Sequence, residues 1–111
     1  MISSIIYQQL TSTGRLIRSS RNDQYRIWKA KIKFVLSELG VSYVLTDPIP
    51  AEPLEGCPKE EKERYEKWIK DDFTCRHTML FAMEDPVFFE FEEYETAGKM
   101  MDNIDNLFFY V

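Results

Sequence analysis

Thiol and imidazole chemistry is scarce in this chain: its 111 residues include two cysteines, Cys57 and Cys75, and a single histidine, His77. Three such groups cannot complete a four-ligand structural zinc site within one chain unless a carboxylate joins them. Glycine is equally sparse, with four residues, so no glycine-rich phosphate loop is present. HExxH, CxxC and a Ser-His-Asp order are also missing. No apolar run approaches the roughly 18 residues that would span a bilayer. The start, Met1 to Tyr7, has neither a basic leader nor a long apolar stretch and does not read as a secretory signal. Two cysteines without that signal read as reduced thiols, in the cytosol or the nucleus, rather than as a disulfide.

What is present is aromatic and charged. Hydrophobic residues make up 44% of the chain and aromatics 14%, which excludes a disordered tail, a collagen-like repeat or a disulfide-dense mini-protein. The length is that of one domain with a modest core. The net charge of −5 argues against a dedicated nucleic-acid or anionic-membrane binder.

Periodicity predicts helices. After Asn22 or Asp23 as N-cap, Tyr25, Trp28, Ile32, Val35, Leu36 and Leu39 recur at steps of three and four, and Gly40 closes the helix. Val41–Leu45 then reads either as an extended segment or as one helical turn. Pro48, Pro50, Pro53 and Pro58 exclude a helix between them and predict a proline-rich surface loop. A second long helix is expected from about Lys59 to Met83, with Tyr65, Trp68, Ile69, Asp72, Arg76, Met79, Leu80 and Met83 along one side. Asp72 and Arg76, four apart, are placed to pair as scaffold. Trp28 and Trp68 are expected to anchor the two long helices by facing each other.

Asp85 as N-cap and Pro86 at the first helical position predict a short third helix through Tyr94. Thr96 is positioned to cap a fourth, whose face is Ala97, Met100, Met101, Ile104, Leu107 and Phe108. The expected fold is therefore an all-α, compact bundle of about four to five helices over residues 22–111. Residues 1–21 form an N-terminal arm. In it, Ile5-Ile6-Tyr7 and Arg15–Arg18 either pair as a hairpin around Thr11–Gly14 or belong to an irregular pinned segment. No internal repeat is visible. The apolar end, Leu107 to Val111, is expected to pack on the chain's own core or on a partner, or to mark a cut from something longer.

Pairwise chemistry is unpromising. Cys75 and His77, two apart on a helix, point about 200° apart, and Asp71 and Asp72 diverge by about 100°, so neither makes a catalytic pair. The five methionines fall mostly on helix faces and read as core filler. No catalytic residue, metal ligand, cofactor or small-molecule partner is expected, and the chain reads as a non-enzyme. Charge, by contrast, is strongly polarised. Residues 1–33 carry seven bases and one acid, +6, and the remainder carries seven bases and 18 acids, −11. Two readings stand: solvated helix faces, or complementary patches that orient association between copies. Because such patches are different surfaces, a contact between them would be heterologous.

Several segments, taken in order, resemble the Gag polyprotein of plant Copia-type LTR retrotransposons. Asn22-Asp23-Gln24-Tyr25-Arg26-Ile27-Trp28-Lys29 resembles the family's NY-x-x-W-K opening, with two extra residues before the tyrosine. Ile32 through Leu45 resembles I-x-F-x-L-x-E-L-x-V-x-Y-V-L. Trp68 through Arg76 resembles W-x-x-D-D-x-x-C-R, Leu80 through Asp85 resembles I-L-x-A-L-x-D, and Tyr94 through Ile104 resembles Y-x-x-A-K-E-L-W-D-x-L. The resemblance covers roughly residues 22–110 and implies the N-terminal lobe of a capsid-like, self-associating helical domain. Met101 stands where the family usually has tryptophan, and residues 1–21 have no counterpart. The family pattern continues into a second helical lobe and often a zinc knuckle; a fragment and a host-derived single lobe are the two readings of this shorter chain.

The expected structural core is Tyr25, Trp28, Ile32, Leu36, Leu39, Trp68, Asp72, Arg76, Leu80 and Ile104. The expected interface is Arg26, Lys29 and Lys33 on the first helix, Glu90, Glu92 and Glu93 on the third, and Phe108, Phe109 and Tyr110 at the end. The expected activity is homotypic protein association. A co-opted module recognising another protein (host, Gag or pathogen) is the alternative, and RNA binding through the basic first third is a lesser one. No membrane partner is expected.

Overall fold

The computed structural model describes residues 15–109, and within them four α-helices and one 3₁₀ turn account for the regular structure. Helix α1 spans Asn22–Glu38, the 3₁₀ turn Ser42–Leu45, α2 Lys59–Phe81, α3 Asp85–Phe91 and α4 Ala97–Phe108. The all-α bundle expected from periodicity is what forms.

The helix ends follow capping chemistry, with two shifts of one residue. Helix α1 is capped by Arg21, not by Asn22 or Asp23: its extended backbone donates an N–H to the Gln24 side chain at 2.8 Å. Gln24 supplies half of a capping box, which places the start one residue earlier than a short polar cap would. At the other end Gly40 takes a φ of 75°, the left-handed region open to glycine. There the Gly40 N–H donates to Ser37 O and the Val41 N–H to Leu36 O, both at 3.0 Å, completing a Schellman closure. Helix α3 is capped by Glu84, which puts Asp85 first and Pro86 second. Thr96 caps α4 as expected, its hydroxyl accepting from the Lys99 N–H at 3.2 Å.

Helix α2 ends at Phe81, short of Met83, because the backbone beyond it is engaged elsewhere. Leu16 donates its N–H to Ala82 O and accepts from the Glu84 N–H, both at 2.9 Å, in a parallel bridge to Met83. Ala82 O also accepts the Trp28 indole N–H at 2.8 Å. Leu16 is buried, so the arm is pinned at the junction between α2 and α3. The expected hairpin segments Ile5–Tyr7 and Thr11–Gly14, like Tyr110, lie outside the described residues.

The core lies between the inner face of α1, the second half of α2, the 3₁₀ turn and α4. Tyr25, Trp28, Ile32, Leu36, Trp68, Asp72, Leu80 and Ile104 are all buried, and Leu39 packs against them half-buried. Three expectations change. Ile69 is 39% exposed, off the buried stripe. Phe108 is 1% exposed and stacks on Tyr25 at 5.5 Å, so it belongs to the core and not to an interface. Trp28 and Trp68 do not face each other, because Trp28 is hydrogen-bonded at Ala82, fourteen residues past Trp68, or roughly 20 Å farther along α2. Trp68 instead lies under the proline-rich loop, beside Tyr43, Pro48 and Pro50. Its indole N–H is buried without a hydrogen-bond partner among the described residues.

At Gly98, α4 comes close against the 3₁₀ turn. A Cβ there would sit 3.1 Å from Leu45 O, so the absence of a side chain lets the two backbones meet.

Candidate interaction surface

Polar side chains in the interior act as fasteners between helices. Asp72 is 4% exposed; its Oδ1 accepts the Ala97 N–H at 2.8 Å and its Oδ2 accepts Arg76 Nε at 3.0 Å. The carboxylate thus holds an otherwise unpaired N–H at the positive end of α4 while its own charge is matched within α2. The expected Asp72–Arg76 pair is therefore present, and it carries an additional bond to α4.

A second fastener joins α1 to α4. Lys29 Nζ lies 2.8 and 3.0 Å from the two carboxylate oxygens of Asp105, and the Tyr25 hydroxyl donates to the same carboxylate. Burial first, then this hydrogen bond and the Asp105 charge, raise the Tyr25 pKa above its ordinary 10.0. A third joins the 3₁₀ turn to α2: the Tyr43 hydroxyl donates to Asp71 at 2.5 Å, and Lys67 Nζ reaches the same oxygen at 2.6 Å. Partial burial alone would raise the Asp71 pKa, but the bonds from Lys67 and Tyr43 outweigh it and hold the carboxyl below 3.8.

Nucleophilic chemistry finds no assembled site in these positions. Burial pushes the Cys75 thiol up to about 12, away from a reactive thiolate. His77 stacks on Phe73 at 3.9 Å, with Nδ1 2.9 Å from Phe73 O. Among the described residues no group of three or more His, Cys, Asp or Glu side chains is arranged to hold a metal ion. Among them also, no helix is long and apolar enough to cross a membrane.

The outer surface shows which expected interface residues are available. Lys29 is committed to Asp105, and Glu90 pairs with Arg18 of the same chain at 3.7 Å. Phe108 is interior, Phe109 is 54% exposed, and Tyr110 is outside the described residues. Arg26, Lys33, Glu92 and Glu93 remain exposed, and no ion pair is formed by them among the described residues. Large apolar side chains stand beside them: Ile27 is 59% exposed, Phe34 64% and Phe89 66%. These three escape a search for the buried stripe because they fall on the opposite side of their helices. The seven-residue step from Ile27 to Phe34 is the signal that reveals them.

A second apolar strip, Ile69, Phe73 and Phe81, runs at steps of four and eight along the outside of α2. No protein-family model matches the chain, and no curated protein or solved structure matches it either.

Proposed function

We propose that this chain is a non-enzymatic protein-association domain whose partner is another copy of itself. The observation that carries the reading is the second apolar face of α1, where Ile27 and Phe34 are more than half exposed although the helix already buries its other side. Such groups add nothing to the chain's own core, and covering them removes apolar surface from water. The charge split supports a copy as the partner, since a +6 first third and a −11 remainder attract when brought together between molecules. The ordered resemblance to Gag of plant Copia-type elements supports the same reading, with the chain acting as a capsid-like lobe.

The excess of carboxylates over bases favours one further reading, a co-opted module that recognises a different, basic protein. RNA binding is disfavoured, because Lys29 is neutralised by Asp105 and the acidic remainder repels phosphate. Solution mass measured by light scattering over a concentration series, at low and high salt, tests the proposal. Growth of mass with concentration, suppressed by salt, supports it; a strict monomer at high concentration and low salt overturns it.

A further inference from the structure

Two outer faces of the chain carry exposed apolar side chains among charges of opposite sign. On α1, Ile27 and Phe34 lie seven residues apart and therefore on one side, separated by about 20° around the axis and roughly 10 Å along it. Lys31 lies between them, four residues after Ile27 and three before Phe34, and Arg26 and Lys33 flank the pair. All three cations are exposed, and no ion pair is formed by them among the described residues. Asp23, at one end of this face, is already engaged by Arg21 at 3.5 Å; Glu38, at the other, is the face's remaining acid.

The face on α3 has the opposite sign. Phe89 is 66% exposed; Asp85 lies one turn before it in α3, and Glu92 and Glu93 follow it by three and four residues in the turn that leaves the helix. Glu92 keeps helical backbone angles, φ −64° and ψ −23°, which carries the register past the last residue of α3. Each of these carboxylates is exposed, and none is ion-paired among the described residues. One surface is thus an apolar pair among three exposed cations, and the other an aromatic knob among three exposed carboxylates.

We infer that the Ile27–Phe34 face of one copy docks on the Phe89 face of the next, in a heterologous contact. This rests on the self-association proposed above and names the surfaces that carry it. Like-with-like pairing is opposed by charge: two α1 faces would set Lys31 against Lys31, and two α3 faces would set carboxylates together. Because donor and acceptor faces are on different helices, each copy in a pair retains its other face, so the pair keeps one free face of each kind and the contact repeats. A contact this small is individually weak and depends on long-range attraction, so it is sensitive to salt.

The test uses Phe34→Ser and Phe89→Ser, both at exposed positions, with thermal melts confirming that each variant folds. Wild type gains mass with concentration at low salt, whereas each variant alone stays at the 13.2 kDa of one chain. An equimolar mixture of the two recovers association but stops at twice that mass, because only one intact pair of faces remains between them. Lys31→Glu supplies an independent arm: it weakens association alone and regains part of it when combined with Glu92→Lys. Variants that associate like wild type overturn these surfaces while leaving self-association standing. A mixture that remains monomeric overturns the heterologous contact. A wild type that is monomeric at every concentration overturns both.

Discussion

Helix α1 has two apolar faces, and only one of them is used by the fold. Its inner face presents Tyr25, Trp28, Ile32, Val35 and Leu36, none more than 6% exposed. Its outer face presents Ile27 and Phe34 at 59% and 64%. The same residue types therefore do different work on one helix, and the geometry of their neighbours separates the two. Inner side chains meet partners from α4 and the end of α2: Tyr25 stacks on Phe108, and Trp28 donates to Ala82 O. Outer side chains stay exposed, form no comparable stack or hydrogen bond among the described residues, and are bracketed by cations. Packing makes the inner face a source of stability; the exposed outer face is the one on which the proposed association draws.

Substitutions on the two faces should separate stability from association. Trp28→Ala has the largest expected effect, a loss of about 3–5 kcal/mol from the vacated volume and the lost bond to Ala82. Chemical denaturation measures it; an unchanged midpoint would show that the ring is not an anchor. Asp72→Asn keeps the shape and can still accept the Ala97 N–H, but leaves Arg76 without a counter-charge. It should cost about 1–3 kcal/mol by the same measurement. Phe34→Ser should move stability by no more than about 0.5 kcal/mol, as for a surface position, while reducing mass at low salt. A large loss of stability in that variant would mean that the outer face is part of the core after all.

The pH dependence sharpens the view of the interior. Tyr25 and Cys75 have folded pKa values raised above their ordinary 10.0 and 9.0, so their neutral forms are favoured by folding. That contribution is complete below pH 9.0 and is lost as pH rises through the raised values. Melting temperature should hold from neutral pH to about 9 and fall above it, and Tyr25→Phe should blunt the fall. Asp71, whose pKa is lowered, acts at the other end: its contribution is complete above 3.8 and disappears as pH falls further.

Much of the fold was legible because it is local. The three-and-four spacing from Tyr25 to Leu36, the Gly40 closure, the Thr96 cap and the Asp72–Arg76 step all depend on residues within one or two turns of each other. What escaped reading is long-range. Leu16 bridging Met83, Lys29 meeting Asp105, and Tyr43 meeting Asp71 join segments whose proximity no local spacing encodes. The C-terminal aromatics show the boundary between the two. Phe108 follows Ile104 by four residues and so turns inward, while Phe109 turns out; the run is apolar, but helical phase divides it. The expected interface residues were the least legible, since a basic or acidic side chain gives no sign in sequence of whether an internal partner has already claimed it. Lys29 and Glu90 are claimed; Arg26, Lys33, Glu92 and Glu93 are not ion-paired among the described residues.

Sedimentation equilibrium of the wild-type chain over a wide concentration range, at about 20 mM and about 500 mM salt, tests self-association most directly, because screening shortens from tens of ångströms to a few across that span. Self-association through charge-bracketed apolar faces predicts a mass that climbs above 13.2 kDa with concentration at low salt and falls back toward it at high salt. A mass that stays at one chain throughout the low-salt series would contradict it.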